Sequence, residues 1–218
     1  MNKITAKYFQ TPYHYQEFYW TIDNLSIVEH LQHYIEEDLC PQLQNDDMSG
    51  LLPAWSGHLS SVIDNAFIWE LIDSPEDLNI PILVCEDDCD FNCLVILVHV
   101  RKTHQYVYWD KIGLLNQKHR NFHEEALSGI LCLDSYTDED WQKYGDNIAL
   151  EDIESCQWKE WISQNWNEEY MRRLRNYLKP YMQNNENIIW IKETHWQFLN
   201  QDYQNVVELY RNFYRRSL

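Results

Sequence analysis

Glycine is scarce in this chain: five among 218 residues, about 2% where ~7% is usual. Gly50, Gly57, Gly113, Gly129 and Gly145 never fall two to a five-residue window. A Walker loop, a dinucleotide-binding turn and a G-x-S-x-G nucleophile elbow are therefore excluded, because each needs glycine for a strained turn or for close approach of backbone to phosphate. Basic residues are also few, 17 against 35 acidic ones. Phosphate affinity requires clustered Lys and Arg, so nucleic acid is not an expected partner. The longest apolar run is Leu94 to Val98, far short of the ~20 residues of a membrane span, and no membrane is expected as a partner either. The N-terminal stretch carries charge with no apolar region after it, so a secretory signal is not expected. The six cysteines, at 40, 85, 89, 93, 132 and 156, then read as free thiols in a reducing cytoplasm.

What is present is ordinary globular composition with an unusual charge. Hydrophobic residues make up 44% and charged residues 24%, and the formal charge is -18, so this is not a disordered acidic tail. The charge is uneven. Residues 1–165 hold 9 basic and 29 acidic side chains, and residues 166–218 hold 8 and 6. The acids cluster at Glu36, Glu37 and Asp38, at Asp46 and Asp47, at Glu86, Asp87, Asp88 and Asp90, and at Asp138, Glu139 and Asp140. A single cluster is an ordinary solvated surface. An excess of 20 over 165 residues opposes folding by self-repulsion, which a basic partner would relieve.

Periodicity predicts an α+β fold, a single domain over residues 1–218, with a mixed α/β part at 1–133 and a mainly helical part at 134–218. Residues 15–22 are aromatic and β-branched, as in a strand. Ser26 and Glu29 have capping-box spacing ahead of a helix to about Asp38, with Pro41 as its stop. Residues 45–56 read as loop, and residues 61–72 are apolar all round, which predicts a buried helix. Residues 82–84 make a short apolar run. Residues 93–100 and 105–109 flank Arg101 to His104 and predict an antiparallel hairpin with a four-residue turn. Thr137 and Asp140 again have capping spacing, and Asn167 is the expected N-cap of a helix whose Tyr170, Leu174, Tyr177 and Tyr181 share a face. Residues 187–191 suggest a late strand, and Asp202 starts a last helix with Tyr203, Val206, Val207, Tyr210 and Phe213 inward.

Chemistry-bearing motifs are weak. Cys85, Cys89 and Cys93 are spaced C-x3-C-x3-C, whereas a structural zinc site commonly uses C-x2-C pairs and four ligands. No fourth ligand is close in sequence, and a redox C-x-x-C pair is absent. His119 and His123 have metal-ligand spacing on a helix, but Arg120 stands where a zincin has its general base. His30 and His33 fare no better. No catalytic residue, metal or cofactor is expected. The aromatics, 10 Trp and 15 Tyr among them, are mostly core, with some available as interface anchors.

The segments at 22–31, 80–100 and 106–116 resemble a family of small bacterial proteins in which a strand enters an acidic cysteine block and a hairpin follows. These are immunity proteins of contact-dependent growth inhibition and related polymorphic toxin systems, and the resemblance covers roughly residues 15–120. The family usually has glycine beside its cysteines; here Asp90 and Leu94 take those places. The resemblance implies a cytoplasmic inhibitor, not an enzyme, that neutralises a cognate toxin domain, such as an EndoU-type ribonuclease. A nuclease is basic around its active site, so an acidic surface would match its field and exclude RNA. The expected contacts are Glu86, Asp87, Asp88 and Asp90, with Asp138, Glu139 and Asp140, and Trp141 and Trp158 as anchors. The rival readings are a metal protein or enzyme built on Cys85, Cys89 and Cys93, and an acidic adaptor for another basic partner.

Overall fold

The computed structural model describes residues 1–10, 16–37, 43, 50–116, 136–144 and 156–217. The chain divides into two compact units, Met1–Gln117 with Glu186–Leu218, and Lys118–Asn185. The fold class is α+β, with antiparallel sheets and helices.

The first unit holds two sheets. β1 (Ile4–Gln10), β2 (Gln16–Ile22) and the two-residue β3 (Leu25–Ser26) form one in that order. β4 (Leu52–Pro53), β5 (Leu78–Val84), β6 (Val95–Lys102), β7 (Tyr106–Leu115) and β8 (Ile188–Leu199) form the other, also in chain order. Every neighbouring pair is antiparallel. α1 (Ile27–Glu36) follows β3, α2 (Val62–Asp73) precedes β5, and α7 (Asn200–Ser217) closes the chain.

Local chemistry explains most boundaries. Ser26 caps α1 through a capping box: its hydroxyl accepts from Glu29 N–H, and Glu29 accepts from Ser26 N–H at 2.6 Å. Asp23 and Asn24 take positive φ in the turn from β2 to β3, a conformation Asp and Asn tolerate better than most residues. The hairpin turn begins at Thr103 and not at Arg101, because β6 runs on to Lys102, which is still paired to Val107 in the β6–β7 ladder. Its ammonium also donates to the carbonyls of Ile72 and Ser74 at the end of α2. Pro81 coincides with a bulge between β5 and β6, where a residue without an N–H costs least. At Gly113 an added Cβ would lie 2.7 Å from Ile188 Cγ2, so the glycine lets β8 pair closely with β7.

The core of this unit is aromatic. Trp20, Trp55 and Trp109 are fully buried and meet mostly edge to face, with Trp20 and Trp55 centroids 4.9 Å apart. Tyr210 of α7 stacks on Trp20 at 4.7 Å and donates its hydroxyl to the Phe18 carbonyl. Trp55 Nε1 donates to the Pro81 carbonyl at 2.8 Å.

In the second unit, α3 (Asp138–Tyr144), α4 (Cys156–Gln164) and α5 (Trp166–Arg173) are described, and α5 continues through a π-helical turn (Leu174–Leu178) into α6 (Lys179–Gln183). Pro180 has no N–H to donate to Asn176, and the ladder widens so that Lys179 N–H reaches the Leu174 carbonyl, as π-bulges do. α5 begins two residues earlier than Asn167 implies: Asn165 holds the cap position and makes no side-chain cap bond, its amide donating instead to Trp161 O. Glu169 and Arg173 are fully buried. Glu169 accepts from Arg173 Nε at 2.8 Å, from Arg172 at 3.2 Å and from the Tyr136 hydroxyl at 2.7 Å.

The mainly helical reading of residues 134–218 meets an interruption. β8 runs twelve residues, well past the 187–191 stretch, and returns residues 186–218 to the first unit. Its alternation is masked by partly exposed aromatic and charged side chains on an outer strand of the sheet. β1 is a strand that the sequence reading does not contain. Among the described residues, no helix is long and apolar enough to cross a membrane.

Breaking a buried ion pair by removing one partner costs about 3–5 kcal/mol. Glu169→Ala is therefore expected to lower the stability of the second unit by that amount, read as a shifted urea midpoint.

Candidate functional site

β5 and β6 are joined by an acidic loop, residues 85–94, whose ends are held by the sheet. Val84 pairs with Val95, and Cys85 N–H donates to the Leu94 carbonyl at 3.0 Å. Cys85 and Cys93 are joined by a disulfide with Cα atoms 6.1 Å apart. This corrects the expectation of free thiols throughout: strand pairing brings the two ends of the loop within the ordinary disulfide span of 4.4–6.8 Å, a proximity that an eight-residue separation does not reveal.

The rest of the loop is packed rather than splayed. Phe91 is buried with its ring 5.8 Å from Phe67 of α2. The Cys89 carbonyl accepts from Ser60 N–H at 2.7 Å, and Asp90 accepts twice from Asn92, from its N–H and from its side-chain amide. Cys89 has φ +49°, the left-handed region in which a non-glycine residue is strained. With Phe91 turned inward, Asp87 and Asp88 are left exposed, and Glu86 and Asp90 are half-buried.

Two further features surround the loop. The Glu86 carboxylate sits over Gly50, where a Cβ would come within 2.8 Å of Oε1. Burial, with Glu17 and then Glu86 adding to it, pushes the Tyr19 hydroxyl pKa well up. Glu17 also bonds His58 Nε2 at 3.0 Å. Neither Glu17 nor His58 was expected at the site, because the partners are 41 residues apart and nothing local couples them.

Cys89 is the free cysteine of the described residues. Burial raises its thiol pKa, and Asp90, Glu86, Asp88 and Asp87 raise it further. A thiol held protonated is a poor nucleophile, so the arrangement suits binding through carboxylates better than thiol attack. Among the described residues, one group of three side chains is placed to hold a metal ion: Cys85, Asp88 and Cys93, whose ligand atoms all lie within 4.8 Å of one another.

The second acid cluster lies in the other unit. Asp138 and Glu139 are exposed on the first turn of α3. Asp140 is engaged: its Oδ2 accepts from the Thr137 hydroxyl and from the Asn176 amide, each at 2.9 Å. Trp141 is half-buried and tilts against Tyr136, with centroids 5.1 Å apart. Trp158 lies on α4 with its side chain outside the described residues, as are His119, His123, Cys40, Cys132 and the Cys156 side chain. His30 is placed by a bond of its Nε2 to the Ile22 carbonyl at 3.1 Å.

The division also redistributes the charge. The first unit carries 9 basic and 22 acidic residues, the second 8 and 13. The unit with the cysteine loop therefore holds most of the excess. Comparison with protein-family models, curated proteins and solved structures finds no match to this chain.

With its pKa raised, Cys89 is expected to react with iodoacetamide more slowly at neutral pH than the same thiol in the unfolded chain, because less of it is thiolate. The rate should climb as pH passes the raised pKa, and Asp90→Asn should bring that rise to lower pH. Peptide mapping by mass spectrometry checks this, with Cys85 and Cys93 staying unlabelled until a reductant is added.

Proposed function

We propose that this chain is a cytoplasmic immunity protein, a non-catalytic inhibitor that binds a basic toxin domain through the acidic face of its first unit. The observation that carries the reading is the clamped loop: Asp87 and Asp88 exposed beside Glu86 and Asp90, on a unit with 22 acids and 9 bases. A loop backbone fixed by strand pairing and by Phe91 loses little freedom on binding, which favours affinity. The substrate of a nuclease is a polyanion. A protein that offers carboxylates at the same basic groove competes for it and repels RNA at once.

The resemblance to immunity proteins of contact-dependent growth inhibition supplies the biological setting, with a ribonuclease of the EndoU type as the toxin. Asp138 and Glu139 are the second candidate contacts, and the structural duties of Asp140 make it a weaker one.

The test is co-purification with the C-terminal domain of the toxin encoded upstream, then stopped-flow association over a salt series. Steered association is expected near 10⁸ M⁻¹s⁻¹ at low salt, falling toward roughly 10⁵–10⁶ M⁻¹s⁻¹ as salt screens it. A variant carrying Glu86→Gln, Asp87→Asn and Asp88→Asn should associate at least about tenfold more slowly at low salt and fail to rescue toxin-producing cells. An association rate indifferent to both salt and these substitutions overturns the electrostatic reading. Absence of any complex overturns the function.

A further inference from the structure

We propose that reduction of the Cys85–Cys93 disulfide opens a zinc-type cation site made by the two sulfurs and the Asp88 carboxylate. The proposal does not depend on the inhibitor reading; it rests on where the β5–β6 loop places three donor atoms.

The sulfurs do not owe their proximity to the bond between them. Val84 and Val95 are paired in the sheet, Cys85 N–H donates to Leu94 O, and Cys89 N–H donates to Cys85 O at 3.2 Å. Phe91 and the Ser60–Cys89 bond tie the middle of the loop to the body. With the disulfide opened, this scaffold still holds Cys85 and Cys93 side by side.

The donor set suits a soft divalent cation. The two Sγ atoms and an oxygen of Asp88 lie within 4.8 Å of one another. Zn–S bonds of about 2.3 Å and Zn–O bonds of about 2.0–2.2 Å set tetrahedral ligand atoms roughly 3.6–3.8 Å apart, within reach of side-chain rotation alone. Two thiolates select a soft cation such as zinc over calcium or magnesium. Three protein ligands leave the fourth position to water. Asp88 is exposed on the loop tip, so a cation can reach it.

Two thiolates and one carboxylate bring three negative charges to one point, with Glu86, Asp87 and Asp90 beside them. A divalent cation removes most of that repulsion, which no basic residue of the loop can do.

A dithiol reductant passes two electrons to the disulfide and becomes a disulfide itself, and each released sulfur takes up a proton. Zinc then displaces those two protons on binding, while Asp88 enters as a carboxylate. Disulfide and zinc are mutually exclusive states of the same two sulfurs.

The test uses the full chain, oxidised or reduced by excess dithiol that is then removed without air. Zinc is titrated in competition with a chromophoric chelator, and cobalt substitution reports thiolate ligation by its charge-transfer absorption. The expected result is one zinc per reduced chain and none per oxidised chain, with bound zinc protecting Cys85 and Cys93 from alkylation. Asp88→Asn and Cys93→Ser should each weaken binding by more than about tenfold, the lower end even for an outer partner of a metal site. Cys89→Ser should bind as the parent does. Asp88 is exposed, so its variant keeps the test decisive even where Cys93→Ser fails to fold. No stoichiometric zinc after reduction, equal binding by both redox forms, or an Asp88→Asn variant that binds like the parent overturns the site.

Discussion

The first unit depends on a cluster of aromatic side chains. Trp20 from β2, Trp55 from the segment after β4 and Trp109 from β7 are fully buried against one another, with Tyr210 and Tyr203 of α7 closing the group. Each side chain of this size removes some 150–250 Å² from water. Three of them at one point join the two sheets and the terminal helix, although β2 and α7 are separated by nearly the whole chain. Polar atoms set the arrangement further: Trp55 Nε1 on Pro81 O and Tyr210 OH on Phe18 O fix ring orientations that packing alone would leave open. The small number of glycines fits such a core. Backbone approaches closely at Gly113, and left-handed φ occurs at Gly57, while most remaining positions carry a side chain that fills space.

Local signals were readable where one residue type does one job. Ser26 with Glu29, Thr137 with Asp140, and the run of apolar residues in α2 fix caps and burial within a single turn or helix, and the structure follows them. β8 was only partly readable because Trp190, Lys192, Glu193 and His195 interrupt its alternation. β1 escaped because Lys7 and Tyr8 sit exposed on it and blur the period. Of the candidate site, the acids could be counted, but their setting could not. Glu86 over Gly50, Glu17 on His58 and the Cys85–Cys93 bond all arise from strand pairing and loop packing. Such contacts join residues with no shared local pattern.

Charge in this protein has two distinct fates. Some of it is spent internally: Glu169 binds Arg172 and Arg173 within the second unit, and Arg211 of α7 binds Asp73 while lying 4.9 Å over the Trp69 ring. The arginines of the last quarter of the chain are therefore partly structural, which is why a count of eight basic residues there overstates the positive surface. The acids of the β5–β6 loop have the opposite character, for none of the ion pairs described reaches Glu86, Asp87, Asp88 or Asp90. Their bonds run within the loop, as Asp90 to Asn92 does.

That contrast bears on why the loop is so firmly held. Four carboxylates within five residues repel one another, and an unrestrained loop would relieve the repulsion by spreading into solvent. Here the spreading is resisted at three levels: sheet pairing at the ends, covalent closure between Cys85 and Cys93, and Phe91 buried at the far side. The repulsion that remains is a standing free-energy cost of the folded state, and it falls when a positive charge arrives. A basic protein surface and a divalent cation relieve the same cost by different geometries. The first needs the exposed carboxylates of Asp87 and Asp88, and the second commits Asp88 to two sulfurs that already lie within 4.8 Å of it. Because both uses draw on Asp88, cation binding at the loop would withdraw one carboxylate from the outer face and lower its charge.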